Sequence, residues 1–249
     1  MCIDKLARGG GIFLEMSKLA LVALAALLFH NPCKALPGTP VPDQKRDTIV
    51  RGGYTLYVID KDSGVDTVTQ RRMVDAFFEV YPEEAKRFNP GTLKTVTFVF
   101  DPSYNGVAET GGGVSRFNPA WLKNHPEDID VVTHEVMHIV QDYRFDGPGW
   151  LTEGIADYVR YVYGVNNKKS NWTLPNYREG QQYTNAYRIT ARFLLWVEKN
   201  KNKSIVDKMD AAMRNGTYRP SLWVDLTGST VDALWQQYAS APALTLEYR

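Results

Sequence analysis

His134 and His138 stand four residues apart in the run Val131-Val-Thr-His-Glu-Val-Met-His-Ile-Val-Gln141. On a helix that spacing sends both imidazoles from one face, one turn apart. With Glu135 between them they make the H-E-x-x-H pattern that holds a zinc ion beside a general base. Fifteen residues past His138, the segment Trp150-Leu-Thr-Glu-Gly-Ile-Ala-Asp157 again sets two acidic side chains, Glu153 and Asp157, four apart. If the turn at Gly147-Pro148-Gly149 folds this segment back on the first, Glu153 completes a His2Glu ligand set and leaves one coordination position open. The expected cofactor is therefore one Zn2+ per chain, on His134, His138 and Glu153. Asp157 then accepts from the far nitrogen of one imidazole and fixes its tautomer. The reverse assignment, Asp157 as ligand and Glu153 as helper, is the alternative.

The plain reading of the same residues is two exposed histidines and a surface glutamate on an ordinary helix. Val131, Val132, Met137 and Val140 argue against it, because they bury the helix where an unpaired imidazole is costly to desolvate. Two carboxylates four apart on the second helix also repel unless a cation lies between them. A bound zinc lowers the pKa of water towards ~7 and polarises a carbonyl. Glu135 would take the proton as water attacks and hand it to the leaving amine. The developing oxyanion needs a donor besides the metal. No histidine follows His138, so a tyrosine is the natural choice: Tyr187 first, with Tyr183 and Arg188 as alternatives and aromatic packing as the plain reading of the tyrosines.

These residues need elements to position them. Tyr54–Asp60 alternates and is rich in β-formers, which predicts a strand. Apolar residues at helical spacing over Thr67–Phe88 predict a helix stopped by Asn89-Pro90-Gly91. A second strand is expected over Leu93–Phe100. Gly111–Phe117 reads as a glycine-led strand suited to a sheet edge, where it either pairs with an extended peptide or simply ends the sheet. The helix bearing the histidines is expected to open at Pro126-Glu127-Asp128, and a third helix at Trp150–Tyr163. After a long polar loop over 166–183, helices are expected near 185–200, 204–213 and 230–240. The fold class is α+β: a small sheet with an edge strand above the H-E-x-x-H helix, then a helical C-terminal part.

The composition of 249 residues, 44% apolar and 23% charged, fits one sizeable soluble core. A net charge of +1 gives no reason to expect a nucleic-acid partner. From Met16, the more plausible true start, Met-Ser-Lys, an apolar run Leu19–Phe29 and Asn31-Pro-Cys-Lys-Ala35 follow the pattern of a secretory signal. The run is too short for the roughly 20 apolar residues of a bilayer-spanning helix. The expected organisation is a signal peptide over 1–35, a proline-rich linker over 36–50 and one domain over 51–249. The mature protein would be secreted, extracellular or periplasmic, without stable membrane association. Cleavage would remove Cys2 and Cys33, the only two cysteines, leaving no disulfide. Asn171, Asn202 and Asn215 head glycosylation sequons.

His134–Gln141 followed by Leu151-Thr-Glu-Gly-Ile-Ala-Asp-Tyr-Val-Arg160 resembles the plant and bacterial peptidases of the basic secretory protein family, a gluzincin-type group. The resemblance extends to Gly106-Val-Ala, Val114-Ser115, Tyr187–Phe193, Met213–Gly216, Val224–Gly228 and Val231–Trp235, and so over most of residues 51–240. It implies a zincin-like fold and a secreted zinc peptidase acting on peptides or proteins. It also implies His134, His138 and Glu153 as ligands and Glu135 as catalyst. Two departures stand out: this chain is nearly neutral, and it lacks the cysteines plant members often carry. Two other functions fit parts of the pattern. One is a zinc-binding defence or interaction protein that hydrolyses nothing appreciable. The other is a zinc hydrolase of a non-peptide amide or a cell-wall peptide.

Overall fold

The computed structural model describes residues 46–249, so the expected signal peptide and residues 36–45 of the expected linker lie outside the described residues. Arg46–Arg51, expected in the linker, instead forms strand β1, with most of its residues exposed. It pairs antiparallel with β2 (Tyr54–Asp60), which runs parallel to β3 (Thr95–Phe100). Helix α1 (Thr67–Phe88) makes the crossover between those two parallel strands. The Asp66 carboxylate caps it by accepting from the backbone N–H groups of Val68 and Thr69.

The glycine-led segment is not one strand. Gly112 and Gly113 take φ of +58° and +80°, the left-handed pair that a two-residue hairpin turn demands. They join β4 (Ala108–Gly111) to β5 (Val114–Phe117), and the sheet order is β1-β2-β3-β5-β4. The edge next to the functional helix is thus β4, and β5 is interior. Leu56, Val58, Phe98, Phe100 and Phe117 are buried on the side of the sheet that α1 covers with Met73, Phe77 and Tyr81.

Two further helices continue the chain. Short α2 (Pro119–Asn124) is capped by the Asn118 side chain. Helix α3 (Val131–Gln141) is buried along nearly its whole length and begins at Val131, later than the expected 126–128. A left-handed Asp142, with φ of 41°, ends α3, and the chain returns as α4 (Gly149–Tyr163). The hairpin of α3 and α4 is clasped at both ends. At one, the buried Asp130 carboxylate accepts from the N–H groups of Val165 (2.8 Å) and Asn166 (2.6 Å) beyond α4. At the other, Gln141 Nε2 donates to the Thr152 carbonyl at 2.9 Å.

Helices α5 (Tyr187–Asn200), α6 (Ile205–Arg214), α7 (Leu222–Thr227) and α8 (Val231–Ser240) complete the fold. Gly154 lets α5 approach α4 closely, since a Cβ there would lie 2.2 Å from Thr190 Cγ2. Trp150, Tyr183, Phe193, Trp223, Trp235 and Tyr238 interlock as an aromatic cluster that fixes the C-terminal helices to this pair. Among the described residues no helix is long and apolar enough to cross a membrane.

Candidate metal centre

Helix α3 supplies His134 and His138, and α4 runs back beside it with Glu153 and Asp157. His134 Nδ1 lies 2.7 Å from Asp157 Oδ1. A carboxylate only accepts, so that nitrogen carries the proton and donates. His138 Nδ1 lies 2.8 Å from Gln141 Oε1. The amide nitrogen of Gln141 is committed to Thr152, so its oxygen accepts, and His138 too is protonated on Nδ1. Both Nε2 atoms are thereby turned inward, 3.2 Å apart. Glu153 Oε2 stands 3.2 Å from one and 3.6 Å from the other.

Three lone pairs thus converge on one point, all within 4.8 Å of one another. Uncompensated, that arrangement is repulsive, and it fits a cation. The surrounding acids favour positive charge at this point, whether a proton or a metal ion supplies it. Burial disfavours a charged His134, but Asp157, Glu153 and Glu135 outweigh it and push the pKa up to about 10. Burial alone would raise the Glu153 carboxyl, yet its contacts with the two imidazoles hold it well below the usual carboxylate range. Two imidazoles and one carboxylate make a donor set suited to zinc with an open position.

Glu135 is nearly buried, at 5% exposure. Its Oε2 accepts from the Thr110 hydroxyl on β4 at 2.7 Å. The centre opens into a cleft of about 1210 Å³ that runs along α3. Ala108, Glu109 and Thr110 of β4 line it, as do Trp121, Tyr187 and Arg188.

The three oxyanion-donor candidates part company here. Tyr183 donates to Asp232 at 2.8 Å and packs on Trp150, so it belongs to the aromatic cluster and not to the cleft. Arg188 lines the cleft and reaches the Thr173 carbonyl at 3.5 Å. Tyr187 is 55% exposed and its ring stacks over His134 at 6.2 Å between centroids. Glu153, together with burial, raises its hydroxyl pKa. Ala186 and Tyr187 take φ of 62° and 50°, a region L residues rarely adopt. That strained entry to α5 swings Tyr187 towards the metal ligands while Tyr183 stays behind.

Sequence reasoning assigned no role to Gln141 or Thr110. Gln141 had a local signal, since it lies three residues past His138 on the same helix face. Thr110 had none, because strand pairing and packing against α3 bring it to Glu135.

Fold and site together combine a mixed α+β architecture with a His-His-Glu group beside a glutamate. The family model described as "BSP: Peptidase of plants and bacteria" matches residues 54–238. The chain belongs to this family, and that membership supports a peptidase. No curated protein matches the chain. Among solved structures, an M1 zinc metallopeptidase from Deinococcus radiodurans is similar, with 12% identity and a TM-score of 0.48 over 82% of this chain and 54% of that one. A variant of it bound to a Tyr-Ser-Ala substrate gives 12% identity and a TM-score of 0.48, over 81% of this chain and 53% of that one. An aminopeptidase N family protein from Idiomarina loihiensis gives 12% and 0.40, over 80% and 42%. The chain spans about half the length of the first two.

Proposed function

We propose that this protein is an exported, zinc-dependent peptidase with Glu135 as its general base. The observation that carries the reading is the convergence of His134 Nε2, His138 Nε2 and Glu153 Oε2 beside Glu135 in an open cleft. A zinc ion held by those three residues supplies Lewis acidity, acidifying water and polarising the scissile carbonyl. Asp157 and Gln141 keep both imidazoles aimed and in the ligating tautomer. Glu135 takes a proton from the attacking water and returns it to the leaving amine. Tyr187 is the donor to the developing oxyanion, held over His134 by the strained entry to α5. Strand β4, at the edge of the sheet among the described residues, pairs with the main chain of an extended peptide, which gives recognition tolerant of side-chain sequence. Export rests on the signal-like N-terminus; N-terminal sequencing of the mature protein should give Leu36, and an intact Met1 or Met16 would sink that part.

The decisive measurement is cleavage of a mixed peptide library by zinc-loaded protein, beside Glu135→Gln, with bound zinc quantified in both. The reading requires that the wild type cut and that the variant keep zinc without cutting. If both bind zinc and neither cuts, a binding protein or a non-peptide hydrolase replaces it. If neither binds zinc, the metal assignment is wrong.

A further inference from the structure

A short hydrogen-bonded chain of hydroxyls ends on Glu135. Thr110 and Ser115 face each other across the β4–β5 hairpin, with their oxygens 2.8 Å apart. Thr110 Oγ1 is in turn 2.7 Å from Glu135 Oε2. Proton counting fixes the direction. A carboxylate only accepts, so the single Thr110 proton goes to Glu135. Ser115 Oγ is placed to accept from the same hydroxyl and is the second acceptor within its reach. Ser115 is fully buried and has no other hydrogen-bond partner among the described residues.

We propose that Thr110 is a positioning residue for the general base, its side chain seated against Ser115 across the hairpin. The proposal rests on the peptidase reading above. Thr110 occupies Oε2 and leaves Oε1, which has no hydrogen-bond partner among the described residues, for the proton in transit. Once Oε1 is protonated, Oε2 still accepts from Thr110, so the bond survives both halves of the shuttle. The carboxyl group therefore does not swing or recruit a new partner between taking the proton and giving it up. Thr110 lies on the edge strand that lines the cleft, so one rigid hairpin both seats the peptide main chain and aims the base. An apolar side chain of the same shape would fill the space and leave Glu135 free to rotate.

The test compares Thr110→Val, Thr110→Ser and Ser115→Ala with the wild type and Glu135→Gln, reading kcat, KM, bound zinc and Tm. Thr110→Val should lower kcat by about 10- to 100-fold, the loss typical of a misplaced reacting group, with KM and bound zinc unchanged. Thr110→Ser, which restores the donor, should recover most of kcat. Ser115→Ala should change kcat by a smaller factor, because Thr110 keeps its proton and its bond to Glu135. If Thr110→Val turns over like the wild type, if the loss lies in KM, or if Thr110→Ser is as impaired as Thr110→Val, the proposal is overturned. Cleavage by the wild type but not by Glu135→Gln separates that failure from failure of the peptidase reading. A wild type that does not cut overturns both.

Discussion

The two imidazoles of α3 are oriented by different means. His134 lies deep, at 8% exposure, and its Nδ1–H is held by a buried carboxylate, Asp157. His138 lies nearer the cleft and is held by a neutral amide, Gln141, which is itself tied to the Thr152 carbonyl. A carboxylate adds negative charge behind its imidazole and makes it a stronger donor to a cation, while an amide fixes the ring without adding charge. Both devices bring the two Nε2 atoms to the same point. The difference teaches that aim and charge are supplied separately. Had both partners been carboxylates, Asp157, Glu153, Glu135 and the extra acid would crowd one small volume with negative charge.

The largest effect should come from removing what the two histidines share. Glu153→Ala leaves their lone pairs facing each other, and bound zinc and peptide cleavage should both fall to background by metal analysis and library assay; retained zinc would break the assignment of Glu153 as ligand. Next, Tyr187→Phe keeps the ring over His134 and deletes only the hydroxyl. It should cost about 10²-fold in kcat with zinc unchanged, as for loss of an oxyanion donor. A wild-type kcat would reduce Tyr187 to a packing residue.

The asymmetry itself is tested by chelator competition. Asp157→Ala should weaken zinc binding by about 10- to 100-fold and Gln141→Ala by about 10-fold or less. Asp157→Asn should fall between them, because it gives His134 the kind of partner His138 already has. Equal losses for all three would mean that only aim matters.

The smallest effect concerns a buried acid without Asp157's advantages. Glu84 on α1 is fully buried, and neither oxygen has a hydrogen-bond partner among the described residues. Burial raises its pKa well above the free value of 4.5. Above about pH 4.5 the unfolded chain gives up a proton that the folded state keeps, so stability falls as pH rises through that window. Glu84→Met should remove the slope and raise stability at pH 7 by about 1–3 kcal/mol, the cost of a buried polar group without a partner. Thermal melts of both proteins between pH 4 and 8 would show it. A variant less stable than the wild type would mean that Glu84 has a structural partner.

The residues legible in the sequence were those whose chemistry imposes a local spacing. His134, His138, Glu153 and Asp157 repeat at four because a helical turn demands it, and α1 could be read from its apolar periodicity to its observed ends. Strand β1 was hidden because it is exposed on both faces and so carries no alternation of apolar and polar residues. The six-residue helices α2 and α7 are too short for helical periodicity to develop. Tyr187 could be ranked ahead of Tyr183 only weakly, since the two stand four apart where the polar loop enters the expected helix. A backbone reversal at Ala186, a residue that gives no hint of positive φ, parts them. Thr110 reaches Glu135 only through the register of β4 with β5, and register across a hairpin is not written at any one position.

The span from His134 to Asp157 carries every proposed ligand atom and both orienting partners, Gln141 and Asp157. Chain closure over so few residues is entropically cheap, growing only with the logarithm of loop length. Metal capture therefore depends on contacts close in sequence, whereas the alignment of Glu135 waits for a strand from elsewhere in the chain. During folding, the helical hairpin can assemble its centre before the sheet is complete, and a metal ion bound at that stage would act as a nucleus for the rest.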